Sequence, residues 1–197
     1  MRGAAAPVEP SAVLAFWFGS ADAVDPRWFR RSDAFDQEIG SRFGAAVQDA
    51  LAGRLDVWAA QPEGALALIL LLDQFTRNMH RGKPAAFAGD AQALGLARQL
   101  VDSGSHLRLP PLQRWFAYMP LEHAEDRAVQ EQCVRLFEVL AAEAGPHREA
   151  LTGALDYARR HRDVVVRFGR FPHRNAILGR ASSAEEAAYL LQPGSGF

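Results

Sequence analysis

Cysteine is nearly missing from this chain: Cys133 stands alone, so no internal disulfide can form, and a reducing compartment is the natural expectation. Long hydrophobic runs are missing too. The longest clean one, residues 65–72, falls far short of the roughly 20 residues a membrane-spanning helix needs. No excess of one charge exists either, because a net charge of -1 supplies no general attraction to nucleic acid or to an anionic membrane. No segment alternates apolar and polar residues at period two, which argues against half-buried strands. There is no glycine-rich phosphate loop, no GxSxG elbow and no paired cysteine motif.

What is present is an ordinary globular composition, 49% hydrophobic and 23% charged over 197 residues, enough for one domain with a substantial core. That domain is expected over residues 11–191, with a flexible N-terminus at 1–10 and a loose tail at 192–197. Residues 13–18 are apolar, Arg2 precedes them, and Ala21-Asp22-Ala23 imitates a cleavage site. Glu9 and Pro10 stand where a signal peptide wants apolar residues, and Phe16-Trp17-Phe18 is bulky, so a core helix and a cytoplasmic location are expected instead.

Prolines and glycines punctuate a series of helical patterns, which makes the class all-α. Ser11 is expected to cap a short helix ending at Gly19, and Asp25-Pro26 to start another, anchored by Trp28 and Phe29. Phe35, Ile39, Phe43, Val47 and Leu51 recur every four residues and form one stripe. Pro62 opens a helix whose residues 66–72 are apolar all round and therefore central. Pro84 starts a helix running to about Ser103 with Gly104 as its stop, and Pro120 is read as restarting the chain into a long helix over 121–143. A helix begun by Pro146 should reach about Val166. Ser182 with Glu185, or Ser183 with Glu186, fits a capping box before a short last helix.

Three segments set ionisable groups among core-type residues: LLDQFTRNMHR (71–81), MPLEHAED (119–126) and RFGRFPHRNAILGR (167–180). Charge woven into a core pattern demands partners, so the three are expected to meet. On a regular helix Asp73, Arg77 and Arg81 share a face, with Gln74 and Asn78 in the neighbouring row. Glu122, His123 and Asp126 would converge on one side of the next. Residues 122–143 are rich in acids, whereas residues 159–180 are rich in arginine with Asp163 as the one acid, so the two stretches should attract.

The order of VLAFWFG, LLDQFTRN, MPLEHAED and RFGRFPHRNAILGR resembles the bacterial family catalogued as domain of unknown function 924, over nearly the whole chain. The resemblance implies an all-helical, tetratricopeptide-like superhelix or compact bundle of antiparallel helix pairs, and no established activity. It also implies characteristic residues at Asp73, Gln74, Arg77, Asn78, Arg81, Glu122, His123, Glu125, Asp126, Arg167, Arg170, His173, Arg174, Asn175 and Arg180. Thr76 stands where proline is expected. The tryptophan, glycine and tyrosine consensus of ordinary tetratricopeptide repeats is missing, so their peptide binding does not transfer.

Three readings follow. In the first, Arg77, Arg167, Arg170 and Arg174 pair with Asp73, Glu122, Glu125 and Asp126 as a structural network. In the second, a pocket for a small anion or a carboxylate-bearing peptide end draws on Asp73, Arg77, Asn78, Arg81, Glu125, Arg167, Arg170, Arg174 and Asn175, which requires arginines to outnumber acids locally. The third is hydrolytic chemistry with His123, Glu122 or His173 as acid and base, or with Glu122, His123, Asp126 and His161 around a metal. Metal is the less favoured case: EHAED is neither the HExxH zinc helix nor the ExxH pair of di-iron bundles, and adjacent helical side chains point about 100° apart. No cofactor, nucleic acid or membrane partner is expected. Cys133 should be core, His80, His106 and His147 solvated, and the run Arg159-Arg160-His161-Arg162 a solvated helix face.

Overall fold

The computed structural model describes residues 8–19, 23–143 and 145–196, and among them the only regular structure is helical. The expected flexible N-terminus thus lies mostly outside the described residues, as do Ala21 and Asp22 of the cleavage-site imitation. α1 spans Pro10–Phe18, with Pro10 in its first turn and Glu9, rather than Ser11, at the cap position. A 3-10 turn at Pro26–Trp28 follows, its first amide held by Asp25. α2, Asp33–Leu51, buries the predicted stripe of Phe35, Ile39, Phe43 and Val47.

The central helix begins as α3, Pro62–Ile69, widens into a π-helical segment, Leu70–Phe75, and finishes as α4, Thr76–Met79. Every residue from Ala65 to Phe75 is buried, including Asp73 and Gln74. Burying each of its leucines and Ile69 contributes about 1.5–3 kcal/mol, which holds the helix through the irregular turn. Such π turns concentrate at functional sites, because the wider turn re-aims the side chains that follow. Thr76 Oγ1 donates to the Leu72 carbonyl at 2.7 Å and takes up one of the acceptors freed there.

The helix expected from Pro84 is a 3-10 turn, Pro84–Phe87, followed by α5, Asp90–Asp102. Gly89 separates them for a steric reason. A Cβ on Gly89 would lie 2.3 Å from the Leu72 carbonyl oxygen, so only glycine brings the start of α5 this close to the π-helical turn.

α6, Pro111–Glu122, overturns the reading of Pro120 as a restart, since that proline lies inside the helix. An internal proline costs about 3 kcal/mol. Here residues Arg114 to Glu122 are buried throughout, and that packing outweighs the lost hydrogen bond. The chain breaks at residues 123–126 instead. Asp126 caps α7, Arg127–Glu143, by accepting from the Val129 amide at 3.0 Å. Fully buried Gln130 reaches back to the corner, its Nε2 donating to the carbonyls of Glu122 at 2.6 Å and Ala124 at 2.8 Å, which α6 leaves unpaired at its end.

α8 spans Arg148–Phe168 and ends on left-handed Gly169. Pairings between Arg148 and Ala142, Arg159 and Glu138, and Arg127 and Val166 run in opposite order along the two chains, so α7 and α8 are antiparallel. α6 and α7 pack the same way, through Cys133 near Tyr118 and Arg114 paired with Glu143. Residues 170–182 then fold back over the α6–α7 corner before α9, Ala184–Leu190, which opens on a complete Ser183–Glu186 capping box. At the end of the described chain Ser195 Oγ donates to the Leu190 carbonyl and Arg160 to that of Gly194. Cys133 is fully buried, as expected of a core residue.

Candidate functional site

A cavity of about 570 Å³ opens between the π-helical turn, α4, α6 and α8. One wall is aromatic: Trp28, Phe29 and Trp115 pack against one another, with the Phe29 and Trp115 rings stacked at 5.0 Å. Phe29, expected as a core anchor, is instead 55% exposed, because the 3-10 turn ends before it and releases its ring toward the opening. The facing wall is a single row of α8, where Ala150, Gly153, Ala154, Tyr157 and His161 recur at helical spacing. Its small residues leave the space open: a Cβ added to Gly153 would meet nothing within 4 Å.

Arg30, Arg31, Arg77 and Arg81 also line the cavity, and Glu122 is the one acidic residue among the lining residues. Carboxylates sit behind three of these arginines. Arg77 is bound by Asp73 at 2.9 Å and Asp90 at 2.9 Å, Arg81 by Asp36 at 2.5 Å, and exposed Arg31 lies 3.6 Å from Asp33. Asn78, on the next row, donates to the same Asp36 at 2.7 Å.

The floor comes from two of the three sequence segments. Asp73 Oδ1 and His123 Nδ1 are 2.7 Å apart, and the other Asp73 oxygen accepts from Gln74 at 2.6 Å. Asp73 is fully buried, yet the Arg77 charge beside it and the hydrogen bonds from His123 and Gln74 hold its carboxyl far below the ordinary carboxylate range. An ionised carboxylate can only accept, so His123 carries its proton on Nδ1. Burial pushes the His123 imidazole below its usual value, with Arg77 adding to the shift, and the ring is neutral at pH 7.

Glu122 behaves in the opposite way. Burial and the nearby Asp73 charge raise its carboxyl to about 8, so it is largely protonated at neutral pH. Its Oε1 lies 3.2 Å from His161 Nδ1, which donates to the Tyr157 carbonyl at 2.9 Å. Burial pulls His161 down to about 3, which keeps that ring neutral as well.

The third segment lies behind the floor. Arg174 donates to the His123 carbonyl at 3.1 Å, approaches Asp90 at 3.5 Å and stacks over Phe171 and Phe87. Burial lowers its guanidinium to about 10. Glu125 accepts from Arg180 at 2.6 and 2.9 Å and from the Phe171 amide at 2.8 Å, while Asn175 bridges Arg180 to Ser182. The segments therefore meet: Arg77 pairs with Asp73 as expected, while Arg167, Arg170 and Arg174 have other partners.

Several corrections follow. Arg167 pairs with Glu185, and Arg170 with Glu186 and the Ala181 carbonyl, so both tie α9 down and stand away from the cavity. Asp126 is a helix cap on the far side of the α6–α7 corner, because the helix break removes it from the face of Glu122 and His123. Arg81 follows the end of α4 and meets Asp36 rather than continuing the Asp73–Arg77 row. His173 is half-buried, pushed down to about 4 by burial, and does not line the cavity. Among the described residues no group of three or more His, Cys, Asp or Glu side chains is placed to hold a metal ion. His106 is buried rather than solvated, its Nδ1 2.6 Å from the Tyr118 hydroxyl.

Sequence reasoning missed Asp36, which takes Arg81, and Asp90, which shares Arg77 and approaches Arg174, and it missed the aromatic wall. Asp90 had one local signal, its place just after Gly89 at a helix start. Asp36 and Trp115 had none, since each looks like an ordinary helix-face residue until α2 and α6 are packed.

Among the described residues no helix is long and apolar enough to cross a membrane. No curated protein matches the chain. A solved structure of a protein of unknown function from Agrobacterium tumefaciens, ATU0120, is similar to it: 36% identity, a TM-score of 0.80, and coverage of 92% of this chain and 96% of that one. The family described as bacterial protein of unknown function (DUF924) matches residues 13–194, which include every residue of the cavity and its supporting layer, and the chain belongs to that family.

Proposed function

We propose that the cavity is a recognition pocket for a small molecule with an apolar body and an anionic group. The observation that carries this reading is the charge of the lining: four arginines face the space, while the single acid among the lining residues, Glu122, is kept largely protonated by burial. Arg77 and Arg81, held from behind by carboxylates, are pre-oriented and lose little freedom on binding, and exposed Arg30 and Arg31 add positive charge, which favours carboxylate or phosphate capture. The stacked wall of Phe29 and Trp115 suits a flat or aliphatic body. A volume of about 570 Å³ accommodates a metabolite-sized ligand rather than a folded partner. A cytoplasmic setting accords with the lone buried thiol.

The test is calorimetric titration of the protein with benzylsuccinate, phenylacetate and phenyl phosphate, alongside two variants that spare the buried network. Gly153→Leu fills open space from α8 and should abolish binding without unfolding, since leucine suits a helix better than glycine. Combined Arg30→Ala and Arg31→Ala should weaken binding about tenfold, the equivalent of about 1.4 kcal/mol. Lack of binding by all three anions, or equal affinity in wild type and Gly153→Leu, would overturn the reading.

A further inference from the structure

We propose that the floor of this pocket is a hydrolytic centre, in which His123, oriented by Asp73, takes a proton from water while Glu122 gives one to the departing oxygen of a bound ester. The inference rests on the recognition reading above and adds a reaction to it. Its geometric basis is the Asp73–His123 contact of 2.7 Å on the floor, with His123 and Glu122 both among the cavity's lining residues and Asp73 fully enclosed behind them. Because Asp73 occupies the Nδ1 edge, Nε2 is the basic nitrogen that remains for the cavity. Glu122 lines the cavity beside His123, its Oε1 3.2 Å from a His161 Nδ1 whose proton goes to the Tyr157 carbonyl.

Adjacent residues supply a base and an acid because their surroundings differ. His123 meets an ionised carboxylate, whereas Glu122 meets neutral His161 and the repulsion of Asp73. Pairs of titratable groups driven apart in this way mark acid and base roles. Among the described residues no serine, threonine or cysteine lines the cavity, so the attacking group is water rather than a side-chain nucleophile.

The step balances with water as the only co-reactant. The water oxygen bonds to the ester carbonyl carbon as its proton passes to His123 Nε2, and the charge gathering on the carbonyl oxygen is met by Arg77. The bond from carbon to the alcohol oxygen then breaks, and that oxygen takes the Glu122 proton. The products are a carboxylic acid and an alcohol. The proton on His123 and the one missing from Glu122 are restored through solvent. The lining selects the substrate class: a monoester of a dicarboxylic acid, its free carboxylate toward the rim arginines and an apolar alcohol against Trp28, Phe29 and Trp115.

Monobenzyl succinate, glutarate and adipate are suitable probes, with benzyl alcohol release followed by chromatography. Wild type should turn over at least one of them, and His123→Ala should lose about 10²–10⁴-fold in kcat while still binding benzylsuccinate. The kcat/KM profile should be bell-shaped, because activity needs neutral His123 and protonated Glu122, with the alkaline limb near pH 8. In the isosteric Glu122→Gln variant that limb should vanish and the rate fall at least tenfold, a readout that stands even if His123→Ala folds poorly. Benzylsuccinate binding without turnover in wild type would overturn the catalytic inference and leave recognition standing, whereas loss of both would overturn both. Unchanged rate and pH profile in Glu122→Gln would also overturn it.

Discussion

Asp73 and Glu185 each face an arginine, but the two pairs live in different media. Around Asp73 the carboxylate is fully buried and is shared by Arg77, His123 and Gln74, while at the C-terminus Arg167 and Glu185 meet with about half of each side chain in water. Between these extremes stands Arg170 on Glu186, a half-buried fork on a buried acid, whose carboxyl is pulled to about 2 by that arginine. The same chemical pairing therefore serves two purposes. In the core it places a neutral base and a protonated acid against a cavity, because low dielectric magnifies each neighbour's charge. At the surface it fastens α9 and leaves no perturbed group facing a ligand.

The comparison sharpens most at Asp73. Asp73→Ala strands Arg77 and removes the partner of His123, and should cost about 3–5 kcal/mol, measured by urea unfolding. A cost below about 1 kcal/mol would place this pair with the surface ones. Gly89→Ala probes the same core from the backbone: its Cβ would sit 2.3 Å from the Leu72 oxygen, so a loss of about 1–3 kcal/mol is expected. Asp90→Ala, at the next position, should release Arg77 from one of its two carboxylates, which a weakened anion affinity would register.

Next in size comes the pH dependence of stability. Glu122 is raised in the folded state, so its contribution is complete below the ordinary value of 4.5 and declines as pH rises toward about 8. His161 is lowered to about 3, so its contribution is complete above 6.5 and declines as pH falls. The two oppose each other below pH 6.5, while between 6.5 and about 8 Glu122 acts alone of the pair. Stability should fall there by up to about 1.4 kcal/mol per pH unit, and Glu122→Gln should remove that slope in thermal melts. The smallest effect belongs to the surface. Arg167→Ala should cost about 0.5 kcal/mol or less, and 0.5 M salt should erase what remains of it.

Legibility in the sequence followed range. The all-α class, the buried stripe of α2, the apolar central helix and the Ser183–Glu186 box were readable because each depends on residues one to four positions apart. Pro120 misled for the same reason: its local cost is real, but the enclosure of α6 by its neighbours overrides it. Of the candidate site, Asp73, Arg77, Asn78, Glu122, His123 and His161 were recognisable as ionisable or polar groups set in apolar sequence. Their partners were not, since Asp36 meets Arg81 across 45 positions and Asp90 meets Arg77 across 13.

By itself, then, the order of residues determined that the chain is helical, where most of its helices begin and end, and that three charged segments had to find company inside the molecule. Tertiary structure alone decided which arginine meets which acid, that Arg167, Arg170 and Asp126 stand aside, and that adjacent Glu122 and His123 hold opposite proton affinities. The reason is physical: helix formation is settled by neighbours along the chain, whereas the charge state of a buried group is settled by whatever the fold brings within a few ångströms of it.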